Sequence, residues 1–311
     1  MSYTFDRNSG GVYIIAATPF DDAGALDLES TDRLVDYYIE CGVSGMTILG
    51  IMGEAAKLSG QESALFARRV LERVNGRVPV IVGVTGGGLD NMAELSRSVM
   101  KDGAAGVMVA PMPSLQTDAQ QRSYFAQVCK ALGPDVPICL QDYPMTTTVN
   151  FSVETLLAIF RDHPQIVMLK HEDWPGLTKL SRMRAETGNA EIPQISILVG
   201  NAALFLPLEL QRGADGAMTG FAYPEMLVKV VALHKAGDVD GAEDLFDAYL
   251  PMVRYEQQLG AGLAIRKEIL HRRGVIGSAK VRAPGPTLTS RDHDDLTRLM
   301  NRLDQKLLAG E

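Results

Sequence analysis

Lys170 is the residue whose type and position most directly suggest chemistry in this chain. It ends the apolar run 166–169, and Tyr143 follows a similar run, 137–142, about one repeat earlier. If both runs are neighbouring parallel strands, an amine and a phenol meet at the carboxyl ends of the strands, where α/β folds place active sites. An amine nucleophile beside a phenolic proton carrier suits Schiff-base chemistry on a keto acid. A lysine after an apolar run is also common at the surface, so the tyrosine is what favours the chemical interpretation.

A glycine-containing turn follows the second apolar run. Gly50 and Gly53 flank Ile51 and Met52, and Glu54 comes next. Two glycines three positions apart allow a sharp turn, so the N–H groups of Met52 and Gly53 could point at an anion. The pattern therefore predicts a site for a substrate carboxylate, although an ordinary turn can have the same residues.

A repeated alternation of strand and helix patterns positions these residues. Segments typical of buried strands lie at 13–17, 45–49, 79–84, 106–110, 137–142, 166–169, 195–199 and 215–219. Their starts are 20 to 34 residues apart, which is the length of a βα unit. Helical patterns, with apolar residues three and four positions apart, lie between them at 31–40, 61–74, 91–101, 119–132 and 153–161.

The strand segments are apolar on both faces, which is typical of parallel sheets. Three helix-to-strand junctions begin with Gly42, Gly103 and Gly213, which suit a left-handed helix end. Six units would favour an open, doubly wound sheet, whereas eight predict a closed α/β structure, the (β/α)8 TIM barrel. We expect the barrel at 1–236 and a helical extension at 237–311, with helices near 241–255, 263–272 and 292–308. The extension should lie on the barrel and form a single functional unit with it.

Charge and hydropathy limit the possible partners. The 311 residues carry a net charge of −8, and 46% of them are hydrophobic. An acidic surface argues against binding to nucleic acid or to anionic membranes. The apolar run 12–17 is too short for a signal core or a membrane span. We therefore expect a small-molecule partner, no nucleic acid and no membrane.

The cysteines and acidic residues do not form a metal-binding pattern. Cys41, Cys129 and Cys139 are scattered and odd in number, which predicts reduced cysteines and a cytoplasmic protein. The run 171–173, His-Glu-Asp, has ligand-type side chains, but adjacent side chains diverge. No metal site is expected.

The motifs together resemble those of the dihydrodipicolinate synthase/N-acetylneuraminate lyase superfamily, over roughly residues 10–300. The resemblance lies in the Ala-Thr-Pro-Phe segment at 17–20, the Gly-x-x-Gly-Glu turn, Tyr143, Lys170 and the Gly-Ala-x-Gly strand near 213–219. It implies a TIM barrel whose Lys170 forms a Schiff base with pyruvate or a 2-keto acid, while Tyr143 relays protons. It also implies that the turn 50–54 holds the substrate carboxylate and that the main chain near Met218 completes the floor. The imine is itself the electron sink, so no cofactor is expected.

The chain also departs from this superfamily. Ile51 and Met52 replace the usual hydroxyl residues between the glycines, and Pro113 stands where the synthase has a second relay tyrosine. The segment 146–148 lacks the synthase arginine that binds the aldehyde substrate; Thr148, in this segment, is assigned to substrate binding. Lysine-biosynthetic activity is therefore not expected, and the chain is interpreted as a divergent member.

Glu172 is a further candidate for the site. Strand alternation would place it on the same side as Lys170, with His171 on the other. It would then be a proton carrier or an ion partner of Lys170; a carboxylate at a helix start is the alternative.

Three functions remain open. The leading hypothesis is a Schiff-base lyase, an aldolase acting on a 2-keto acid; the alternatives are a dehydratase of 2-keto-3-deoxy sugar acids and a non-catalytic keto-acid-binding protein. Five apolar residues are expected around the site, and they would favour a substrate with an apolar or aromatic distal half: Ile51, Met52, Met112, Met145 and Met218. By resemblance, we expect a homo-oligomer, most commonly a homotetramer.

Overall fold

Eight parallel strands close into a barrel. The structure, a computed structural model, describes residues 5–309. The strands β1 to β8 are Gly11–Ile15, Gly45–Ile48, Val80–Gly83, Gly106–Val109, Ile138–Asp142, Ile166–His171, Ser196–Val199 and Gly216–Ala217. Each pairs with the next along the chain, and β8 pairs with β1. The predicted (β/α)8 barrel is thus confirmed, and each strand begins within two residues of its predicted start.

Helices cover the outside of the barrel. The helices α1 to α9 are Leu28–Glu40, Gly60–Val74, Leu89–Lys101, Asp118–Leu132, Pro144–Thr147, Val153–Asp162, Leu177–Glu186, Leu206–Gln211 and Pro224–Lys235. Ser59 and Thr117 begin α2 and α4 with capping boxes, in which each side chain accepts a bond from the third helical residue. The junction glycines Gly42, Gly103 and Gly213 have φ of 81°, 101° and 90°, so they form left-handed helix ends as predicted.

Two apolar clusters build the core. A small cluster fills the barrel interior and includes Ile15, Met108, Met168 and Met218. A larger one lies between the outer faces of the strands and the helices, and it continues into the C-terminal region through residues such as Phe246. Because strands with helices on one face and barrel interior on the other are buried on both, their sequences are apolar throughout.

Three helices follow the barrel, α10 to α12: Val239–Glu256, Gly262–Arg272 and Ser290–Ala309. The helices α10 and α9 lie side by side, and α10 also contacts α11 and α12. The predicted helical extension is confirmed, with each helix beginning one or two residues before its expected start. The boundary at residue 236 stays a prediction.

Candidate active site

A cavity of about 270 Å³ opens at the carboxyl ends of the barrel strands. Lys170, Tyr143 and Glu172, which the sequence analysis proposed as a group, all line it. Helices α10 and α11 and the loop between them form the opposite wall. The strand ends and the C-terminal helices therefore build this cavity together.

Lys170 lies near the end of β6, between Gln141 on β5 and Leu198 on β7 in the sheet register. It is 5% exposed, so its amine is withdrawn from bulk water. The Nζ atom lies 3.0 Å from Oε2 of Glu172, which is buried to the same extent. A charged lysine here is therefore compensated, and a proton can pass directly from the amine to the carboxylate.

Glu172 is held in place from several sides. The side-chain amide of Gln141 donates to its Oε2 at 2.8 Å, and the backbone N–H of Asn201 donates to its Oε1 at 3.4 Å. The Asn201 side chain also donates to the Glu172 carbonyl at 3.1 Å. His171, between Lys170 and Glu172, points elsewhere and contacts the Gly176 carbonyl at 3.0 Å. The alternation expected from the sequence is thus seen, and Glu172 is an ion partner of Lys170.

Tyr143 lies just after β5 and immediately before α5, where Pro144 begins the helix. Burial raises the pKa of its phenol, and the negative charge of Glu172 adds to this, while Thr146 and Arg266 oppose it. Tyr143 is therefore protonated at neutral pH and can donate a proton into the cavity.

The turn after β2 is only partly available to a ligand. Residues Ile51–Gly53 form a single 3₁₀ turn, and the N–H of Gly53 donates to the Gly50 carbonyl at 3.0 Å. The Thr18 hydroxyl fixes the turn by donating to the Gly53 carbonyl at 2.5 Å. Ile51 and Met52 line the cavity, whereas Gly50 and Gly53 do not. The predicted anion contact from Gly53 is corrected, because the turn itself uses that N–H.

Glu54 also differs from the prediction that it binds substrate. It is buried beyond the turn, with Oε1 2.5 Å from Nζ of Lys267 and Oε2 2.9 Å from Nζ of Lys57. The Arg282 backbone N–H also donates to its Oε2 at 3.0 Å. Because protein donors occupy both oxygens, Glu54 joins the turn to the C-terminal segment rather than contacting a ligand.

Thr148 does not reach the cavity. The helix α5 ends there with a left-handed residue, φ 59°, and the Thr148 hydroxyl donates to the Thr147 carbonyl at 2.6 Å. Thr146 lines the cavity instead. Because α5 ends at Thr148, the threonine that faces the cavity is Thr146, two residues earlier.

The expected apolar surroundings are also revised. Met112 and Met145 are 38% and 42% exposed and lie outside the cavity lining. Met218 is fully buried in the barrel interior, where its sulfur lies 3.9 Å from Sγ of Cys139, and the following residue, Thr219, lines the cavity. Only Ile51 and Met52 of the five apolar candidates face the site.

Several polar lining residues were not identified from the sequence. They are Gln141, Asn201, Thr219, Glu256, Gln257 and Arg266. Gln141 interrupts an apolar strand two residues before the proposed tyrosine, which was a usable signal. Glu256 and Arg266 lie on helices far along the chain, where a charged residue gives no local sign of facing the barrel.

Within residues 5–309, no group of three or more His, Cys, Asp or Glu side chains is placed to hold a metal ion. None of the helices in that range is long and apolar enough to cross a membrane.

Comparison with protein families identifies the scaffold. The model of the dihydrodipicolinate synthetase family matches residues 8–303. The chain belongs to this family. The resemblance noted from its motifs is thereby confirmed.

Relatives of the family differ in activity. The chain is 32% identical to L-2-keto-3-deoxyarabonate dehydratase of Azospirillum brasilense over 303 residues, which cover 96% of each protein. It is 33% identical to 4-hydroxy-tetrahydrodipicolinate synthase of Sorangium cellulosum over 237 residues, covering 75% of this chain and 76% of that protein. Sequence similarity alone thus does not choose between a dehydratase and a synthase.

Solved structures of the family superpose along nearly the whole chain. Dihydrodipicolinate synthase from Rhodopseudomonas palustris is 47% identical, with a TM-score of 0.95, and the match covers 97% of this chain and 100% of that one. YagE, a prophage protein of E. coli K12 from the same family, crystallised with pyruvate, is 26% identical with a TM-score of 0.86, covering 95% and 98%. As a member of this family, the chain is a lyase that forms a Schiff base with pyruvate or a 2-keto acid.

Proposed function

We propose that the protein is a dehydratase of 2-keto-3-deoxy sugar acids in which Lys170 forms the Schiff base. The observation that carries this proposal is the Glu172 carboxylate, 3.0 Å from the lysine amine and bonded to Gln141. A dehydratase must move protons at the carbons next to the imine, and a fixed carboxylate beside the lysine is suited to that task.

The first stage is imine formation. Lys170 transfers a proton to Glu172 and attacks C2 of the keto acid as a neutral amine. The ketone oxygen takes up two protons, one from the attacking amine and one that Glu172 returns through Tyr143, and it leaves as water, so Glu172 is again a carboxylate. The product is a C=N bond between C2 and the lysine nitrogen.

The second stage is elimination. Glu172 removes a proton from C3, and that electron pair forms the enamine with C2. The enamine then expels the C4 hydroxyl, which takes a proton and leaves as water, so a C3=C4 double bond remains. Water hydrolyses the imine and restores the amine. The net reaction is loss of one water from the substrate, because the water released on imine formation is used in hydrolysis.

The polar lining supports a hydroxylated substrate. Gln141, Thr146, Asn201, Thr219 and Gln257 offer hydrogen bonds around the lysine, and a buried hydroxyl without such a partner would cost about 1–3 kcal/mol. Similarity to the A. brasilense dehydratase, over 96% of both chains, supports the same reaction class.

An aldolase that cleaves a 2-keto acid is the second candidate. Ile51 and Leu259 line the mouth and are 44% and 64% exposed, so an apolar distal half of a substrate would find apolar partners there. In that reaction, the enamine of pyruvate is the leaving group and the C4 oxygen becomes an aldehyde.

A substrate panel distinguishes these reactions. The protein is incubated with 2-keto-3-deoxypentonates, 2-keto-3-deoxyhexonates and an aromatic 4-hydroxy-2-keto acid, and products are identified by mass spectrometry. A dehydratase gives a product lighter by one water and no pyruvate. Release of pyruvate with an aldehyde from the aromatic compound, and no dehydration of the sugar acids, would refute the dehydratase and favour the aldolase.

We also propose that the chain forms a homotetramer, which is common in this superfamily. Exposed apolar side chains support self-association: Trp174 and Leu208 are 44% and 43% exposed, and the centroid of the Trp174 ring lies 4.9 Å from that of the Phe205 ring. A monomeric dihydrodipicolinate synthase variant, 25% identical with a TM-score of 0.86, shows that the fold also exists without assembly. Light scattering at micromolar concentration tests this, and a monomeric mass would contradict it.

We also propose that the protein is located in the cytoplasm. Cys41, Cys129 and Cys139 are all free thiols, and the last two are buried. Free buried cysteines suit a reducing compartment. Fractionation of expressing cells, followed by immunodetection, measures the location directly.

A further inference from the structure

Arg266 is a buried arginine that is only partly satisfied. It lies on α11, is 3% exposed and lines the cavity. Its Nε donates to Oε1 of Glu256 at 2.5 Å, and its Nη2 donates to the Gly220 carbonyl at 2.6 Å. Its Nη1 is buried and has no hydrogen-bond partner within residues 5–309. A buried donor without an acceptor is unfavourable, so this nitrogen is placed to receive one.

The guanidinium lines the same cavity as Ile51 and Met52, which belong to the turn proposed from the sequence to bind the carboxylate. A Cβ atom built on Gly220 would overlap with Nη1 of Arg266 and would lie 3.0 Å from the Ile15 carbonyl, at the end of β1. A Cβ atom built on Gly50, at the start of that turn, would lie 3.9 Å from Cγ2 of the same Ile15. In the barrel order β8–β1–β2, the end of β1 therefore lies between Gly220 and the turn after β2, and both of these border the same cavity.

That turn needs an additional donor if it is to hold a carboxylate. Ile51 and Met52 have no side-chain hydroxyls, and the Gly53 N–H is bonded within the turn. A keto acid nevertheless brings a negative charge next to buried side chains of the cavity, and removing such a charge from water without donors is costly. The missing hydroxyl side chains therefore leave a requirement that a nearby cation would meet.

We propose that Arg266 binds the carboxylate of the 2-keto acid, with Nη1 as the donor that replaces the hydroxyl side chains of the turn. Arginine is always charged and planar, so it can make this bond without changing its contacts to Glu256 and Gly220. Lys57 also lines the cavity. It contributes positive charge there, because Lys57 and Lys267 together carry two positive charges and pair with the single carboxylate of Glu54. The inference rests on the proposed Schiff-base function at Lys170, but not on the dehydration step.

Borohydride trapping tests the contact. The protein is incubated with pyruvate or with methyl pyruvate, which has the ketone but no charge, and the half-saturating concentration for adduct formation is measured for each. The variant is R266M/E256Q, which removes both members of the buried ion pair and leaves no uncompensated charge. We expect the value for pyruvate to rise about 10- to 100-fold, as for loss of a hydrogen bond to a charged group, with the value for the ester unchanged.

A second variant protects the test against misfolding. Gly220→Ala keeps the arginine but places a methyl group where Nη1 lies, so it should also raise the half-saturating concentration for pyruvate and not that for the ester. If circular dichroism shows that R266M/E256Q is unfolded, Gly220→Ala decides the question. Arg272→Met, which removes another arginine of α11 that pairs with Glu268, is the matched control and should change neither value.

Three results would overturn the inference: an unchanged pyruvate value in a folded variant, an equal rise for pyruvate and ester, or the same selective rise in Arg272→Met. Trapping without any dehydration of sugar acids would refute the dehydratase and leave the arginine contact intact. Absence of trapping in the wild-type protein would remove the Schiff-base function and this inference together.

Discussion

Gly200 leaves the space that Glu172 occupies. A Cβ atom on Gly200 would overlap with Cγ and Oε1 of Glu172, and the ψ of −131° is itself disfavoured for residues that carry a Cβ. The glycine is therefore required here both for space and for backbone conformation. Its position at the end of β7 fixes how closely the carboxylate can approach Lys170.

Gly200→Ala should impair turnover without altering any reacting group. The added methyl displaces the Glu172 carboxylate, and a misplacement of about 1 Å can cost about 100-fold in rate. Turnover of a 2-keto-3-deoxy acid by the variant, with borohydride trapping of pyruvate in parallel, measures this. Gly87→Ala is the control, because a Cβ there meets no atom within 4 Å. Unchanged turnover in Gly200→Ala would contradict the role given to Glu172.

Glu172→Gln should separate imine formation from elimination. The amide keeps the size of the side chain but cannot remove a proton from C3, so kcat should fall by about 10²- to 10⁴-fold. Pyruvate should still be trapped on the enzyme, given time, because the lysine remains. Mass spectrometry of the adduct and steady-state kinetics provide the two measurements. If adduct formation fell as much as kcat, Glu172 would instead be essential for imine formation.

Lys170→Ala should abolish both the adduct and the activity. No other lysine among residues 5–309 lines the cavity except Lys57, whose amine is 2.9 Å from Glu54 and also donates to the Arg282 carbonyl at 2.8 Å. Peptide mapping after borohydride treatment with pyruvate locates the modified lysine. An adduct that survives in Lys170→Ala would show that another amine is the nucleophile.

Glu209 should make the protein less stable as the pH rises. Burial, with a contribution from the charge of Glu172, raises its pKa to about 8 from an ordinary 4.5. Between these values the folded protein keeps a proton that the unfolded chain has released, so the free energy of unfolding falls with increasing pH. Glu209→Gln cannot ionise and should be more stable than wild type at pH 8.5, by on the order of 3 kcal/mol, but similar near pH 4.

Urea unfolding at a fixed protein concentration, at pH 4.5, 7 and 8.5, measures this difference. A fixed concentration is needed because assembly would itself shift the midpoint. Parallel pH dependences for the wild type and Glu209→Gln would show that the carboxyl is not the cause.

Local sequence was sufficient for the barrel but not for the whole site. Each strand and its preceding turn carry their own signals, and Lys170, Tyr143 and Glu172 follow from alternation along two adjacent strands. The role of Glu54 could not be read in the same way, because its partner Lys267 is 213 residues away. Thr148 was missed by two positions, since the end of a four-residue helix decides which threonine faces the cavity. Arg266 had no local signal at all, because only tertiary contact with Gly220 brings it to the site.

The link between Glu54 and Lys267 has a consequence for synthesis on the ribosome. All eight strands and the proposed nucleophile leave the ribosome before α11 does, at roughly 5–20 residues per second. Until then Glu54 keeps Lys57 but lacks Lys267 and the Arg282 N–H, so its Oε1 has no protein donor. In a growing chain, the barrel would thus gain its final stability only when the C-terminal helices are made. The cavity wall that these helices form would be completed at the same time.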